Sequence, residues 1–340
     1  MPETTFISIF AVYQTCSDLD AQLKLYGEYG FEVVEGFDAI GANSVTLYKD
    51  VPDEYYTARG VAKSDIVKTK AMKLPSDPYM HIIFTQFREP KTCSSWPAPY
   101  DRLGSRGHAF IVSSVQSEVS RIKKDFPKIK FLYGPLTVNR QWGRTTTALM
   151  MDPAGVFFEL VEIDPKGPYF SKTLKAPPPT DKAWLHYMLN SDDALESQEF
   201  FKSFDMSHDS RVDFRPEVAF HPFGEEKFAK QHYEAFATIT WSYYNSNQYT
   251  NVLFLSQEQI KLPGSVPVWP QRGISRYCFR TPSKAHDLNR AVIAGHKILI
   301  PESKICIGWG DTEYYYFADV DGNILTSEQW HPYGTFGEKI

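Results

Sequence analysis

WGRT at residues 142–145 is followed by DPAG at residues 152–155, and WGDT at residues 309–312 is followed by DVDG at residues 319–322. The tryptophan and the aspartate are separated by the same interval in both copies. Each copy is typical of two strands joined by a D-x-x-G turn, in which Gly155 or Gly322 supplies the positive φ that the turn requires. The match therefore predicts that the second half of the chain repeats the first.

Working outward from these turns, the same order of elements recurs four times. An apolar strand comes first, then a capped amphipathic helix, then further strand-like segments. In the first copy the strand is FISIFAVY (6–13), Ser17 and Asp18 can cap the helix, and Gly30 ends it. The later strands are HAFIV (108–112), LHYML (185–189) and RYCF (276–279). A helix followed by several strands, four times over, predicts a duplicated unit.

Three segments separate the four units. Residues 94–106 and 164–181 are rich in Pro, and residues 261–272 form a softer break. Proline lacks a backbone donor, so these segments are predicted to be connections.

Composition excludes several classes of function. The 340 residues carry 36 Lys and Arg against 41 Asp and Glu, a net charge of −5, so nucleic-acid binding is disfavoured. No long apolar run predicts a membrane span, and no signal peptide is evident, so we expect a cytoplasmic protein. The four cysteines form no CxxC pair, which argues against a disulfide framework or a zinc knuckle.

The runs YGEYGFEVV (26–34) and DPAGVFFELVE (152–162) resemble the vicinal oxygen chelate superfamily, which includes glyoxalase I, bleomycin-resistance proteins and extradiol dioxygenases. The resemblance implies an α+β fold of tandem βαβββ modules, paired into two cup-shaped mixed sheets. The implied modules are residues 1–93, 105–165, 180–262 and 270–340. Pairing in chain order gives an N-terminal domain, 1–165, and a C-terminal domain, 180–340.

The resemblance also implies where a metal would be held. Its ligands are His, Gln and Glu side chains on the first and last strands of the modules, pointing into the cup. The first-strand position lies seven residues before the helix and falls on His186 in the third module and Arg276 in the fourth. The last-strand position lies four residues after the turn glycine and falls on Glu159 and Thr326.

Neither cup has a complete His-His-Glu set by this alignment. In the C-terminal cup Glu328 lies two residues beyond Thr326, on the same strand face, and could join His186 as a metal ligand. In the N-terminal cup a one-residue shift would bring His108 to Glu159. Two ligands are few for a metal site, so we expect no cofactor, with Fe(II), Mn(II) or Zn(II) as the alternative.

Acid–base chemistry in the C-terminal cup is the leading hypothesis. Arg276 beside His186 would make a cationic pocket that suits a carboxylate, enolate or phenolate. His186 would transfer a proton, Glu328 would orient it or act as the base, and Tyr316 would donate to an oxyanion.

Further residues are predicted to contact the substrate. Tyr314 lies on the same strand as Tyr316, Thr326 faces the cup, and Trp309 opens the second copy of the repeated motif. An insert at residues 211–234 suggests a helix or lid in which Tyr233 would cover the substrate.

The sequence thus leaves three functions open. The first is an enzyme that isomerises, cyclises or eliminates on a small aromatic or polyketide-like molecule. The second is a metal-dependent extradiol-type dioxygenase, and the third is a binding protein that sequesters a small molecule. In each case the partner is a small molecule, not nucleic acid or a membrane, and homodimerisation stays open.

Overall fold

The computed structural model describes residues 5–6, 8–34, 51–75, 80–92, 103–140, 143–166, 181–208, 232–238, 251–257, 267–306 and 311–331. None of the helices in this part of the chain is long and apolar enough to cross a membrane.

The described elements fall into the four modules. Module 1 contains β1 (Ser8–Cys16), α1 (Leu19–Glu28), β2 (Glu32–Val34), α2 (Asp53–Thr57), β3 (Ile66–Lys73) and β4 (His81–Phe87). Module 2 contains β5 (Gly104–Ile111), α3 (Val115–Asp125), β6 (Lys130–Arg140), β7 (Gly143–Met151) and β8 (Phe157–Ile163). Module 3 contains β9 (Ala183–Asn190), α4 (Ala194–Lys202), β10 (Ser207–His208), β11 (His232–Thr238) and β12 (Asn251–Gln257). Module 4 contains β13 (Gly273–Arg280), α5 (Lys284–Ile293), β14 (Lys297–Cys306), β15 (Asp311–Ala318) and β16 (Ile324–His331).

Two eight-stranded mixed sheets result. One has the order β14-β15-β16-β13-β1-β4-β3-β2, and the other has the order β10-β11-β12-β9-β5-β8-β7-β6. Within each module the first strand runs parallel to the last, and first strands from two modules meet antiparallel, β1 with β13 and β5 with β9. The predicted α+β fold of tandem modules is confirmed.

The pairing of the modules differs from the prediction. Modules 1 and 4 form one sheet, here called sheet 1/4, and modules 2 and 3 form the other, sheet 2/3. The predicted domains, 1–165 and 180–340, therefore do not correspond to the sheets, since each sheet draws on both. Every module presents a similar first-strand edge, so local sequence does not decide which edges pair.

Local chemistry explains where the helices begin. Each of the four longer helices has a side-chain cap on the residue before it: Asp18, Ser114, Asp193 or Ser283 accepts a bond from a backbone N–H of the first turn. These caps lie where the sequence placed the helix starts, within a few residues.

The repeated D-x-x-G turns are confirmed in detail. Asp152 Oδ1 accepts from the backbone N–H of residues 154 and 156, and Asp319 Oδ1 accepts from those of residues 321 and 323. Gly155 and Gly322 have φ of 83° and 87°. The aspartate satisfies two donors of a turn that a glycine makes geometrically possible.

One face of each sheet packs into a shared central core, together with residues of the module helices. Tyr187 and Tyr277 meet there from the two sheets, and His108 lies close to Tyr26 and Trp184 in the same region. Side chains alternate along a strand, so the other face of each sheet is the cup face, on which a ligand would bind.

The predicted lid falls mostly outside the described residues. The part that is described, His232–Thr238, is strand β11, paired with β12 at the edge region of sheet 2/3. Tyr233 therefore lies on a strand of the sheet, whereas the sequence predicted that it lies in a helix or lid.

Candidate functional site

The cup face of sheet 2/3 brings His186 and Glu159 together. Ala109 of β5 is paired in register with Glu159 on one side and with His186 on the other, so the three residues lie side by side on one face. His186 Nε2 lies 3.9 Å from Glu159 Oε2, and their side chains are 0% and 3% exposed. A buried imidazole and a buried carboxylate thus face each other across a residue that has no functional group.

Neighbouring hydroxyls hold Glu159 in place. The hydroxyl of Thr147 donates to Glu159 Oε1, and the hydroxyl of Tyr133 donates to the same oxygen at 3.4 Å. Leu149, Phe157 and Met188 form an apolar cluster on this face. Glu159 Oε2 is therefore the carboxylate oxygen directed at His186, in surroundings of low polarity.

The donor set fits a divalent metal in part. An imidazole nitrogen and a carboxylate oxygen are ligands that zinc, manganese and iron accept. The next residue in register beyond His186 is Asn251 of β12. Among the described residues no three His, Cys, Asp or Glu side chains converge, so His186 and Glu159 are the protein ligands that this part of the chain offers at the cup face.

Sheet 1/4 carries a different arrangement at its cup face. The Arg276 guanidinium lies 3.4 Å from the ring centroid of Tyr13 and 5.0 Å from that of Tyr316, and it donates to the Tyr55 hydroxyl at 3.4 Å. Arg276 is 4% exposed. A cation is thus buried among aromatic rings, which is favourable when the guanidinium lies over a ring face.

Glu328 lies on the same face. Its Oε1 accepts from the hydroxyls of Tyr13 and Thr326, each at 3.4 Å. Burial raises the pKa of Glu328, and the positive charge of Arg276 limits the rise. This carboxyl is therefore held closer to its neutral form than an exposed glutamate.

Sequence reasoning missed Arg59 and Tyr55 of this cluster. Arg59 follows α2, and its guanidinium lies 3.5 Å from the ring centroid of Tyr55 and 4.6 Å from that of Tyr316. Both residues come from a connection between strands with no recognisable motif, so no sequence signal placed them in the cup.

His186 and Arg276 do not share a cup, contrary to the leading hypothesis. His186 lies in sheet 2/3 and Arg276 in sheet 1/4, because the third module pairs with the second rather than with the fourth. The predicted metal pair of His186 with Glu328 is wrong for the same reason. The acid–base set of His186, Arg276, Glu328 and Tyr316 is thus divided between two sheets.

His108 and Glu159 lie on opposite faces of their sheet, so this predicted metal pair is also wrong. His108 Nε2 is 2.8 Å from the Tyr26 hydroxyl in the central core. Burial, with a smaller contribution from the charge of His186, lowers the pKa of His108 to about 3. A one-residue offset along a strand moves a side chain to the other face.

The remaining predicted residues are placed as follows. Tyr314 and Tyr316 belong to the cup-face cluster of sheet 1/4, whereas Tyr315 lies in the central core. Thr326 is buried beside Glu328. Trp309 lies outside the described residues, and for Tyr233 only the strand is described.

Comparison with known proteins identifies this arrangement of modules. Glyoxalase I from Zea mays is similar over 95% of this chain and 92% of its own, with a TM-score of 0.63 and 16% identity. A putative dioxygenase from Bacillus subtilis is similar over 97% of this chain and 87% of its own, with a TM-score of 0.53 and 9% identity. The chain has the vicinal oxygen chelate fold. No protein-family profile and no curated protein matches the sequence.

The prediction that no cofactor is needed is contradicted by these likenesses. Glyoxalase I and the dioxygenases, to which this fold is similar, are metal-dependent enzymes. That prediction rested on the incomplete set of candidate ligands in each cup. In the structure His186 lies beside Glu159, a residue that the alignment had assigned to the other cup.

Proposed function

We propose that this protein is an enzyme acting on a small organic molecule in the cup of sheet 2/3, with His186 and Glu159 as ligands of a divalent metal such as Fe(II), Mn(II) or Zn(II). The observation that carries the proposal is the 3.9 Å approach of His186 Nε2 and Glu159 Oε2 on a buried face. Burying an imidazole opposite a carboxylate costs stability unless the pair has a ligand or proton to share.

When bound, a divalent metal supplies Lewis-acid polarisation of a substrate oxygen. The chain's own residues prepare the place. Thr147 and Tyr133 fix the orientation of Glu159 through Oε1 and leave Oε2 directed toward His186. Such outer contacts keep a ligand in its binding geometry.

The surroundings favour a substrate that has an apolar body and one or two oxygen groups. Leu149, Phe157 and Met188 offer apolar contact and exclude water, which strengthens electrostatic interactions at the pair. We infer a proton-transfer reaction next to a carbonyl or enol oxygen, as in isomerisation, cyclisation or elimination. Tyr133 is half-buried, and its hydroxyl donates to Glu159 Oε1.

Metal binding is the first test. Protein purified without chelator is titrated with Zn(II), Mn(II) and anaerobic Fe(II), and bound metal is counted by elemental analysis. We expect about one metal ion per chain in the wild type. The metal affinity of H186Q and of E159Q should be lower by at least about tenfold. H296Q is the matched control, because His296 lies beside Ser203 and Phe200, away from both cups.

Equal metal affinity in wild type, H186Q and E159Q would contradict the assignment of these ligands. Reactivity is tested separately by NMR, following deuterium exchange from solvent into the α-position of aryl ketones. Exchange by the metal-loaded protein that E159Q abolishes supports the proton-transfer class. If the protein consumes dioxygen in the presence of catechols and catalyses no deuterium exchange, the reaction is ring cleavage and not proton transfer.

A further inference from the structure

At the cup face of sheet 1/4, two arginines that are far apart in the sequence contact the same tyrosine side chains. We propose that Arg59, Arg276 and the tyrosines between them form a second small-molecule site, which binds an aryl carboxylate. This site is separate from the His186–Glu159 pair and does not depend on the function proposed for it.

The two guanidinium groups are linked through the same pair of tyrosines. Arg59 lies over the rings of Tyr55 and Tyr316 at 3.5 and 4.6 Å. Arg276 lies 5.0 Å from the Tyr316 centroid and donates to the Tyr55 hydroxyl at 3.4 Å. Two like charges are thus held close together in a largely buried place, where their repulsion is weakly screened.

The hydrogen-bond acceptors of Arg59 do not neutralise this charge. Its Nε donates to the Tyr316 hydroxyl at 3.1 Å, one terminal nitrogen donates to the Tyr314 hydroxyl at 3.4 Å, and the other donates to the Tyr55 carbonyl at 2.5 Å. These acceptors are uncharged, and in the described part of the chain Arg59 forms no ion pair. A half-buried guanidinium with neutral acceptors is stabilised when an anion approaches it.

One carboxyl shares the face, but it does not balance both arginines. Glu328 accepts hydrogen bonds from the hydroxyls of Tyr13 and Thr326. Burial raises the pKa of Glu328, which favours its neutral form. Among the described residues the cluster thus combines two guanidinium groups with one carboxyl, which leaves one or two units of positive charge. A monoanion is the ligand charge that this balance favours.

The rings define the rest of the ligand. Trp269 lies 5.6 Å from the Arg276 guanidinium and packs against Tyr55 and Phe87, with ring centroids 6.3 and 5.4 Å apart. Aromatic faces bind flat apolar groups, while a guanidinium whose face is stacked keeps its N–H edge for a carboxylate. A planar ring that carries a carboxylate satisfies both features.

The duplication of the modules gives an independent argument. Arg276 precedes its helix cap, Ser283, by the same seven residues that separate His186 from Asp193, so the two occupy matching places on first strands. In sheet 1/4 a fixed cation stands where sheet 2/3 has an imidazole. Arginine stays protonated and does not ligate a metal, so the cup of sheet 1/4 attracts the anion directly.

The test is calorimetric titration of the full chain with benzoate and 2-naphthoate, each compared with its neutral amide. We expect at least one of the two carboxylates to bind with a dissociation constant of about 1 mM or lower, and the amides at least about tenfold more weakly. R59Q should weaken carboxylate binding at least about tenfold. R59K should weaken it by less, because lysine keeps the positive charge but lacks the planar N–H donors of the guanidinium. R290Q is the matched control, since Arg290 pairs with Asp205 on the surface.

Arg59 is chosen for substitution because it is half-buried, so its variants are expected to fold, which thermal melting verifies. H186Q should bind the carboxylate as wild type does, which separates this site from the proposed metal centre. The proposal is overturned if neither carboxylate binds, if the amides bind equally well, or if folded R59Q binds like R290Q.

Discussion

The rings of Tyr187 and Tyr277 stack at 4.0 Å between centroids, with an angle of 16° between their planes, where the two sheets meet. Each hydroxyl reaches the backbone of the opposite sheet: Tyr187 donates to the Ala11 carbonyl at 2.8 Å, and Tyr277 donates to the Gly107 carbonyl at 2.7 Å. The pair thereby joins first strands of all four modules. It makes the central core a junction between two cups of different chemistry.

This junction can be tested with Y277F. The substitution keeps the stacked ring but removes buried bonds to the carbonyls of Gly107 and Met188, so we expect a loss of about 1–3 kcal/mol in the free energy of unfolding. Denaturant titration measures it. Y29F is the control, because the Tyr29 hydroxyl contacts the Met150 sulfur, a weak acceptor. Equal losses in both variants would show that the bonds across the junction contribute little.

Gly107 is expected to tolerate no side chain. A Cβ at this position would overlap the carbonyl oxygen of Phe157 on the paired strand β8. G107A should therefore lose about 3 kcal/mol or more, or fail to fold, because a backbone atom cannot move aside without breaking the sheet.

G27A is the matched control for this substitution. Gly27 lies in α1, where an added Cβ would meet nothing within 4 Å, so alanine should stabilise the helix by about 0.5–1 kcal/mol. Similar stabilities of G107A and G27A would contradict the close approach of β5 and β8.

His108 makes a predictable contribution to acid sensitivity. Its pKa is about 3 in the folded protein and near its usual value in the unfolded chain, so the unfolded chain takes up a proton first as the pH falls below about 6.5. The stability associated with neutral His108 is present above that pH and is lost progressively toward pH 3, at up to about 1.4 kcal/mol per pH unit.

The measurement compares wild type with H108Q from pH 7.5 to pH 5 by denaturant titration. The difference in unfolding free energy between them should shrink as the pH falls, because glutamine does not titrate. A difference that stays constant over this range would mean that His108 is not buried in its neutral form.

Asp319 should act with the opposite sign. Burial, together with the charge of Asp321, raises the pKa of Asp319 to about 7, so the folded protein holds a proton that the unfolded chain has released. The stability from the neutral form is present at low pH and is lost as the pH rises through 7. D319N keeps an acceptor for the turn. From pH 5 to pH 8 its free energy of unfolding should rise relative to that of the wild type by about 1 kcal/mol or more. A fall relative to the wild type over this interval would contradict the raised pKa.

Local features of the fold followed from the sequence. The turn aspartates Asp152 and Asp319 with their glycines, and the caps Asp18 and Ser283, involve residues within a few positions of one another. The energies of such motifs depend on side-chain type and backbone geometry, which are written in a short stretch of chain. The four modules, and the places of His186 and Glu159 within theirs, were accessible for this reason.

Tertiary structure alone decided which modules share a sheet, and with it the composition of both sites. Similar strand edges can pair in several ways, and the pairing depends on packing between distant parts of the chain. The choice gave His186 a carboxylate partner and gave Arg276 a second guanidinium, Arg59, from an unmarked connection. Side chains that are far apart in sequence acquire a common chemistry only when packing brings their faces together.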